Sequence, residues 1–206
     1  MEFPSLKLIH FRVTGRAELT RLALTVGGIP FESQVVQDQD WHSFQPSCPF
    51  HQLPVLVVDG TPMAESAPMA RFAASLARLY PVDSDPLATY RIDELVAFVQ
   101  DILEPVVMTT KEQDPTKRVE SRKQMAATWL PGMLDLLDAR LEGKTGLQVT
   151  LADLAVFLLV VLFHTDWLDP IPKTICSNHA NIMHVYAKVA ALPGVATWKR
   201  LYHADI

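Results

Sequence analysis

The sequence predicts an α/β domain followed by an all-helical domain. Within residues 1–80 the predicted elements run strand, helix, strand and then strand, strand, helix. Residues 80–86 are rich in proline and small acidic residues, as interdomain linkers often are. Beyond them, apolar residues recur only at the three-and-four spacing of helices, which predicts a helical domain over residues 87–206.

The elements of the first domain follow from alternation and from turn residues. Residues 6–11 alternate as a half-buried strand does, and Gly27-Gly28 ends the helix that comes next. A tight Asp59-Gly60 turn joins two short strands. The predicted elements are a strand over 6–11, a helix over 16–26 entered through Gly15, a strand over 31–36, an irregular loop with a short helix over 41–50, the hairpin around Asp59-Gly60 and a helix over 66–79.

The second domain is predicted from helical periodicity and from one helix cap. Thr150 and Asp153 have the spacing of a capping box, and they precede an almost wholly apolar segment, 151–163. A helix that is apolar on all sides lies inside a bundle. The other predictions are helices over 86–110, over 119–141 with an interruption at Pro131-Gly132, and over 179–191, then a turn over 192–195 and a closing segment at 198–200.

Composition excludes several classes of function. The chain has 206 residues, 49% of them hydrophobic, and a formal net charge of −5. Its lysines and arginines are scattered, which argues against a nucleic-acid partner, because phosphate binding needs a basic stripe. The most apolar stretch is too short to cross a bilayer and the N-terminus lacks the pattern of a secretory signal, so we expect no membrane association and a cytoplasmic location.

The two cysteines predict neither a redox dithiol nor a metal centre. Cys48 and Cys176 are far apart in the sequence, form no C-x-x-C motif and have no neighbouring residues at metal-ligand spacing. No thiol stands at the start of the first predicted helix. Disulfide exchange and zinc chemistry are therefore not expected.

One segment predicts a binding pocket. Pro54 stands at the mouth of the third strand, where the missing N–H of a proline is tolerated, and a cis bond before it would turn the Leu53 backbone outward. Ser66 is placed as the N-cap of the next helix, so that amide donors and the positive end of the helix dipole face the pocket. These donors suit a small anionic peptide. An ordinary acidic helix start is the alternative interpretation of Glu65-Ser66.

Taken together, these motifs resemble the cytosolic glutathione S-transferases, in the pattern of their sigma-type, prostaglandin D synthase-like members. The resemblance covers essentially the whole chain and rests on the order and spacing of Phe11, Gly15-Arg16-Ala17-Glu18, Arg21, Trp41, Pro49, Gln52-Leu53-Pro54, Asp59-Gly60, Ser66 and Arg71. It implies a thioredoxin-like first domain, glutathione as co-substrate and no metal. The implied reaction is attack of the glutathione thiolate on a small apolar electrophile, by conjugation in detoxification or by glutathione-dependent isomerisation.

The resemblance also implies a set of residues that bind glutathione. Trp41 is expected at the glycine end of the tripeptide, Gln52 and the Leu53 backbone at its cysteinyl segment, and Glu65 with Ser66 at its γ-glutamyl end. The complete set is Phe11, Trp41, Gln45, Gln52, Leu53, Pro54, Glu65, Ser66 and Asp101.

Three members of this set depart from the sigma-type pattern or have an alternative. Gln45 stands where those chains have a lysine, so that one charge partner of the glycyl carboxylate is missing. Glu65 replaces a glutamine, and a carboxylate binds the γ-glutamyl ammonium more strongly than an amide does. Asp101 aligns with an acidic pair that family dimers offer across their interface, or else it is solvated or paired with an arginine.

Activation of the thiol is the main departure from the family. A free thiol with a pKa near 8.5 is only a few per cent ionised at neutral pH. Sigma-type relatives use a tyrosine at the end of the first strand, where this chain has His10. His10 is the leading candidate donor to the sulfur. One alternative is that Thr14, or a water held near Arg16, is the donor, and another is that the site does not activate glutathione. Arg16 itself either lies near the sulfur or pairs with Glu18 or an interface carboxylate.

The expected assembly is a homodimer whose cleft holds glutathione and a small hydrophobic electrophile. The rival hypothesis is a non-catalytic glutathione- or ligand-binding or structural protein that has kept the fold, as the lens crystallins of this lineage have. The retained pocket residues favour the enzyme, whereas His10 and Gln45 favour the rival.

Overall fold

The structure is a computed structural model that describes residues 3–81, 86–143 and 148–203. Within these ranges the chain forms two compact units, one made of residues 3–81 together with 192–203 and the other of residues 86–191. Most of the predicted linker, residues 82–85, lies outside the described residues.

The first unit is built on a four-stranded mixed sheet. Its strands are β1 (Leu6–Phe11), β2 (Glu32–Val36), β3 (Val55–Val58) and β4 (Thr61–Met63), in the spatial order β2-β1-β3-β4. β1 and β2 are parallel and are joined through helix α1 (Glu18–Val26), because a parallel pair needs a crossover, whereas β3 is antiparallel to both β1 and β4. Asp59 and Gly60 form the turn after β3 with φ angles of 48° and 82°, as two-residue hairpin turns require. The predicted α/β order is confirmed.

The two faces of β1 bury different partners, because successive side chains of a strand point to opposite faces of its sheet. Ile9 and Phe11 belong to one apolar cluster beside β3. His10 lies on the opposite face, where Arg21 of α1 contacts it. At the end of β1, one face of the sheet is therefore apolar and the other face carries a buried charge.

The helices around the sheet differ in detail from the predictions. α2 (Trp41–Phe44) is the short helix expected within the irregular segment 41–50, and α3 spans Ser66–Leu76. Glu65, with a φ of 70°, is the N-cap residue of α3, and no side chain caps the helix. The prediction of Ser66 as the N-cap is therefore wrong, because the chain turns into the helix one residue earlier; Ser66 is the first helical residue.

The C-terminal segment is a helix, α9 (Pro193–Tyr202), where the sequence predicted only a turn and a closing segment. Pro193 stands in its first turn, where the missing N–H of proline costs no hydrogen bond. α9 packs on α1 so closely that a Cβ on Gly194 would lie 2.6 Å from the Val26 Cα. α9 thus belongs to the first unit, whereas the sequence assigned residues 87–206 to one helical domain.

The second unit is helical, as predicted. The predicted interruption at Pro131-Gly132 is wrong in position, because Pro131 is accommodated in the first turn of α6, where its missing N–H costs no hydrogen bond; the irregular part is a π-helical turn before it, Met125–Trp129. The described α-helices of this unit are α4 (Pro86–Met108), α5 (Pro115–Gln124), α6 (Leu130–Leu141), α7 (Leu151–Phe163) and α8 (Ala180–Ala190).

α7 lies in the middle of the second unit, between α4 and α8, and almost all of its side chains are buried. The predicted capping box is confirmed: the Asp153 carboxylate accepts hydrogen bonds from the Thr150 N–H at 2.8 Å and from the Thr150 hydroxyl at 2.6 Å. Asp153 also lies 3.1 Å from the Nζ of Lys188 on α8. No helix within the described ranges has the length and apolar character needed to cross a membrane.

We expect the cap of α7 to carry a measurable share of the stability of the second unit. Thr150→Ala should lower the free energy of unfolding by about 1 kcal/mol, and Asp153→Ala by about 2 kcal/mol, since the latter also removes the ion pair with Lys188. Thr110→Ala removes an exposed hydroxyl that bonds only to the Val107 carbonyl at the end of a helix, and it is the control. Denaturant unfolding measures all three; equal losses in Asp153→Ala and the control would contradict the role of the cap.

Candidate functional site

A pocket that is open to solvent lies at one end of the β3–β4 hairpin. Its lining unites six residues that the sequence predicted for the site, Arg16, Gln52, Leu53, Pro54, Glu65 and Ser66, with two that it did not, Phe50 and Ala64.

The hairpin explains why these residues meet. β3 and β4 are paired with Leu56 opposite Met63, so the residue before β3 and the residue after β4 lie at the same end of the sheet. Pro54 precedes β3, and its bond to Leu53 is cis, as the sequence suggested. Ala64 follows β4 and leads into α3 through Glu65.

The pocket offers donors and charges of both signs. The N-terminus of α3 contributes the amide groups of its first turn, which have no acceptor within the helix and carry the positive end of the helix dipole. Arg16 adds a guanidinium and Glu65 a carboxylate. A ligand that carries both a carboxylate and an ammonium group finds a complementary charge for each of them here.

Three other predicted ligands of glutathione do not line this pocket. Phe11 and Trp41 pack edge to face, with ring centroids 5.0 Å apart, at the border of the apolar cluster that contains Cys48. The side-chain amide of Gln45 donates to the His51 carbonyl oxygen at 3.2 Å. The first two pack against the same apolar cluster as Leu53 of the pocket lining, and Gln45 is bonded to the segment that follows Phe50.

His10 is buried, with 4% of its surface exposed, and it is not part of the pocket lining. Its Nδ1 lies 2.6 Å from the Phe11 carbonyl oxygen, and its Nε2 lies 2.9 Å from the Ser33 hydroxyl. The Nη2 of Arg21 lies within 3.1 Å of both ring nitrogens. The ring is thus engaged on the α1 side of the sheet, and the structure does not bring it to the predicted glutathione pocket.

Burial lowers the pKa of His10 from its usual value of 6.5, and the nearby positive charge of Arg21 lowers it further. The hydrogen bond to Phe11 and the charge of Glu18 act in the opposite direction without reversing the shift. His10 is therefore neutral at pH 7, and a charged imidazole is not available to stabilise a thiolate.

The remaining candidates are placed as follows. Thr14 is half-buried in the turn between β1 and α1, two residues from Arg16. Asp101 is exposed on α4, in the second unit. Burial raises the pKa of the Cys48 thiol and raises that of Cys176 to about 12, so both cysteines are inert. Among the residues that the structure describes, no group of side chains is arranged to hold a metal ion.

The pocket residues that sequence reasoning missed left a weak signal. Phe50 is 71% exposed and has a φ of 53°, which local sequence alone does not indicate for a phenylalanine. Ala64 contributes through its position between β4 and α3, and not through a distinctive side chain. Arg21 was singled out by the resemblance, but the pattern gave it no partner.

Comparison with protein families agrees with this geometry. The model of the glutathione S-transferase N-terminal domain matches residues 17–76, and that of the C-terminal domain matches residues 100–200. The chain belongs to the glutathione S-transferase family. The predicted family, the fold and the class of enzyme, a glutathione transferase, are confirmed, and the non-catalytic alternative is not favoured.

Individual relatives are similar to the chain over most of its length. Hematopoietic prostaglandin D synthase of Homo sapiens is 26% identical over 201 residues, which cover 95% of both chains. S-crystallin SL11 of Nototodarus sloanii is 25% identical and covers 92% of this chain and 89% of its own length. A solved structure of prostaglandin synthase D from Nilaparvata lugens has a TM-score of 0.84 at 21% identity, covering 96% of this chain and 98% of that one.

The lowered pKa of His10 predicts a pH dependence of stability. The contribution of the neutral ring is fully present above the usual histidine pKa of 6.5, and it is lost as the pH falls through the lower pKa of the folded state. The free energy of unfolding of the wild type should therefore decrease as the pH falls below 6.5, and less steeply in His10→Asn.

Denaturant unfolding at a series of pH values measures this slope. His42→Asn, which removes an exposed histidine of α2, is the matched control and should keep the slope of the wild type. Equal slopes in wild type and His10→Asn would show that His10 is charged in the folded protein or that its environment does not change on unfolding.

Proposed function

We propose that the pocket binds glutathione and activates its thiol for attack on a small apolar electrophile. The observation that carries this proposal is the convergence of six predicted site residues in one pocket with complementary charges. In this arrangement the first-turn amides of α3 and Ser66 bind the γ-glutamyl carboxylate, Glu65 binds the γ-glutamyl ammonium, and the Leu53 backbone pairs with the cysteinyl segment.

The group that stabilises the thiolate has to lie in the pocket. Arg16 lines it and is permanently charged, so its guanidinium favours the ionised over the neutral sulfur. Thr14, in the same turn, offers a hydroxyl donor. We therefore assign the direct contact with the sulfur to Arg16, with Thr14 of the same turn as the alternative donor, and we keep His10 as a residue that acts through its neighbours.

Exposed apolar side chains of the first unit support a homodimer. Phe50 of the pocket lining and Met63 of β4, the strand at the edge of the sheet, are large apolar side chains that are 71% and 49% exposed. Contact with a second copy would remove both from water, and the role of Asp101 as a ligand from the partner copy depends on this assembly. Sedimentation at micromolar concentration distinguishes a dimer from a monomer. Cytoplasmic location and a role in detoxification stay predictions.

Binding of glutathione should depend on the start of α3. Ser66→Ala is expected to weaken binding about tenfold, and Glu65→Gln about tenfold or more, because each removes a hydrogen bond to a charged group of the ligand. Ser75→Ala, on the same helix, removes a hydroxyl that bonds to the Arg71 carbonyl and is the matched control. Isothermal titration calorimetry with glutathione measures the affinities. Absence of binding by the wild type would refute the proposed function.

Catalysis should depend on Arg16 more than on Arg12, the other arginine of the same turn. Arg16→Ala is expected to raise the pKa of the bound thiol and to lower kcat/KM for a chloronitrobenzene acceptor by about 10- to 100-fold. Arg12→Ala removes an exposed arginine of the same turn that does not line the pocket, and should stay within about twofold of the wild type. Equal losses in the two variants would mean that general positive charge, and not contact, is responsible. Binding without conjugation in the wild type would favour the non-catalytic alternative.

A further inference from the structure

A network of buried polar side chains crosses the first unit on the face of the sheet opposite to the apolar cluster. At its centre, Glu18 and Arg21 of α1 form an ion pair, and their side chains are 4% and 5% exposed. From α9 and its C-terminal end, the Trp198 indole N–H donates to Glu18 Oε2 at 3.2 Å, and His203 Nε2 donates to the same oxygen at 2.9 Å. Arg21 leads from this carboxylate to His10.

The proton positions of His10 follow from its partners. The Phe11 carbonyl oxygen can only accept, so Nδ1, at 2.6 Å from it, carries the proton. In a neutral ring Nε2 is then the acceptor, and both Ser33 and Arg21 have hydrogens to donate to it. This tautomer satisfies the contacts with Phe11 and Ser33, whereas the Nη2 of Arg21 also lies 2.9 Å from the protonated Nδ1, which cannot accept from it.

The charges of this network are balanced inside it. A buried guanidinium is costly unless it is paired, and Glu18 supplies the pairing charge through Oε1. Oε2 of Glu18 accepts hydrogen bonds from Trp198 and His203, so the carboxylate is satisfied in the orientation that keeps Oε1 on Arg21. Arg21 is therefore held in place and holds His10 in turn.

The last member of the network is a backbone atom at the end of β1. The Phe11 carbonyl oxygen ends β1, and the chain passes directly from it into the turn that carries Thr14 and Arg16. The ring of His10 thus connects the buried ion pair with the β1 end of this turn, while at the other end the Glu18 N–H donates to the Gly15 carbonyl oxygen at 2.9 Å.

We propose that Glu18, Arg21 and His10 form a relay that fixes the Phe11 carbonyl and, through it, the turn bearing Thr14 and Arg16, so that His10 is a positioning residue for the thiol and does not touch it. The consequence for thiol activation rests on the proposed function, whereas the relay itself does not. The groups that face His10 in this relay are Arg21 and Glu18 from α1 and Ser33 from β2.

Three variants of His10 separate positioning from contact. In asparagine the amide nitrogen is the same number of bonds from Cβ as Nδ1 is, so His10→Asn keeps a donor for the Phe11 carbonyl. In glutamine the amide group reaches the place of Nε2 instead, so His10→Gln keeps a partner for Arg21 and Ser33 and loses the donor to Phe11. His10→Ala removes both.

Two readouts apply to each variant of the full chain. The first is the backbone amide chemical shifts of residues 14–16 in the ligand-free protein, together with the tautomer of His10 in the wild type. The second is the pKa of the thiol of bound glutathione, followed by ultraviolet absorbance of the thiolate, with kcat/KM beside it. The relay predicts the smallest amide shifts in His10→Asn, which keeps the donor to Phe11 but not the partner of Ser33, larger shifts in His10→Gln and His10→Ala, and about a tenfold loss of kcat/KM in those two variants.

Two results would overturn the proposal. If His10→Gln kept the thiol pKa and His10→Asn lost it, the ring would act on the sulfur through Nε2. If all three variants had the amide shifts of the wild type, the turn would not depend on the relay. If His10→Ala does not fold, the comparison of His10→Asn with His10→Gln tests the relay alone. If the wild type binds no glutathione, the amide shifts still test the relay, and the proposed function is refuted separately.

Discussion

The ion pair between Glu18 and Arg21 is the constraint on which the first unit depends. Placing two charges where about 5% of each side chain is exposed costs several kcal/mol per ion, and this cost is offset because most of the remaining polar atoms of the pair have partners, the Nε of Arg21 excepted. Those partners come from distant parts of the chain: Trp198 and His203 at the C-terminal end, and His10 on β1. One salt bridge thereby determines both where α9 lies and which way the ring of His10 turns.

This dependence explains which parts of the structure could be predicted from the sequence. The hairpin at Asp59-Gly60, the helix over 151–163 and its capping box rest on interactions within a few residues, so the local pattern contains them. The pocket could be predicted for the same reason, since Pro54 and Glu65 lie at the two ends of one short hairpin. The position of α9 could not, because the groups that hold it are almost the whole chain length away in sequence.

His10 shows the limit of transferring a role by position. Its place at the end of β1 corresponds to the tyrosine of the sigma-type pattern, but a strand offers each residue only one face, and Ile9 and Phe11 already occupy the apolar face. The charged side of β1 contains Arg21, which gives an imidazole a partner on that side. An imidazole at position 10 has partners that differ from those expected of a tyrosine there. A pattern of residue types does not record the direction in which a ring points.

The backbone around the pocket gives independent support for its importance. Five described residues other than glycine have positive φ angles, and two have ordinary structural reasons: Asp59 forms a hairpin turn and Arg78 follows the end of α3. The other three are Phe50, His51 and Glu65, of which Phe50 and Glu65 line the pocket. Such a conformation costs of order 1–3 kcal/mol at a non-glycine residue, and glycine would avoid the cost. The positive φ of Glu65 therefore coincides with its place in the pocket, and the proposed contact with the γ-glutamyl ammonium is a reason for a carboxylate there despite this cost.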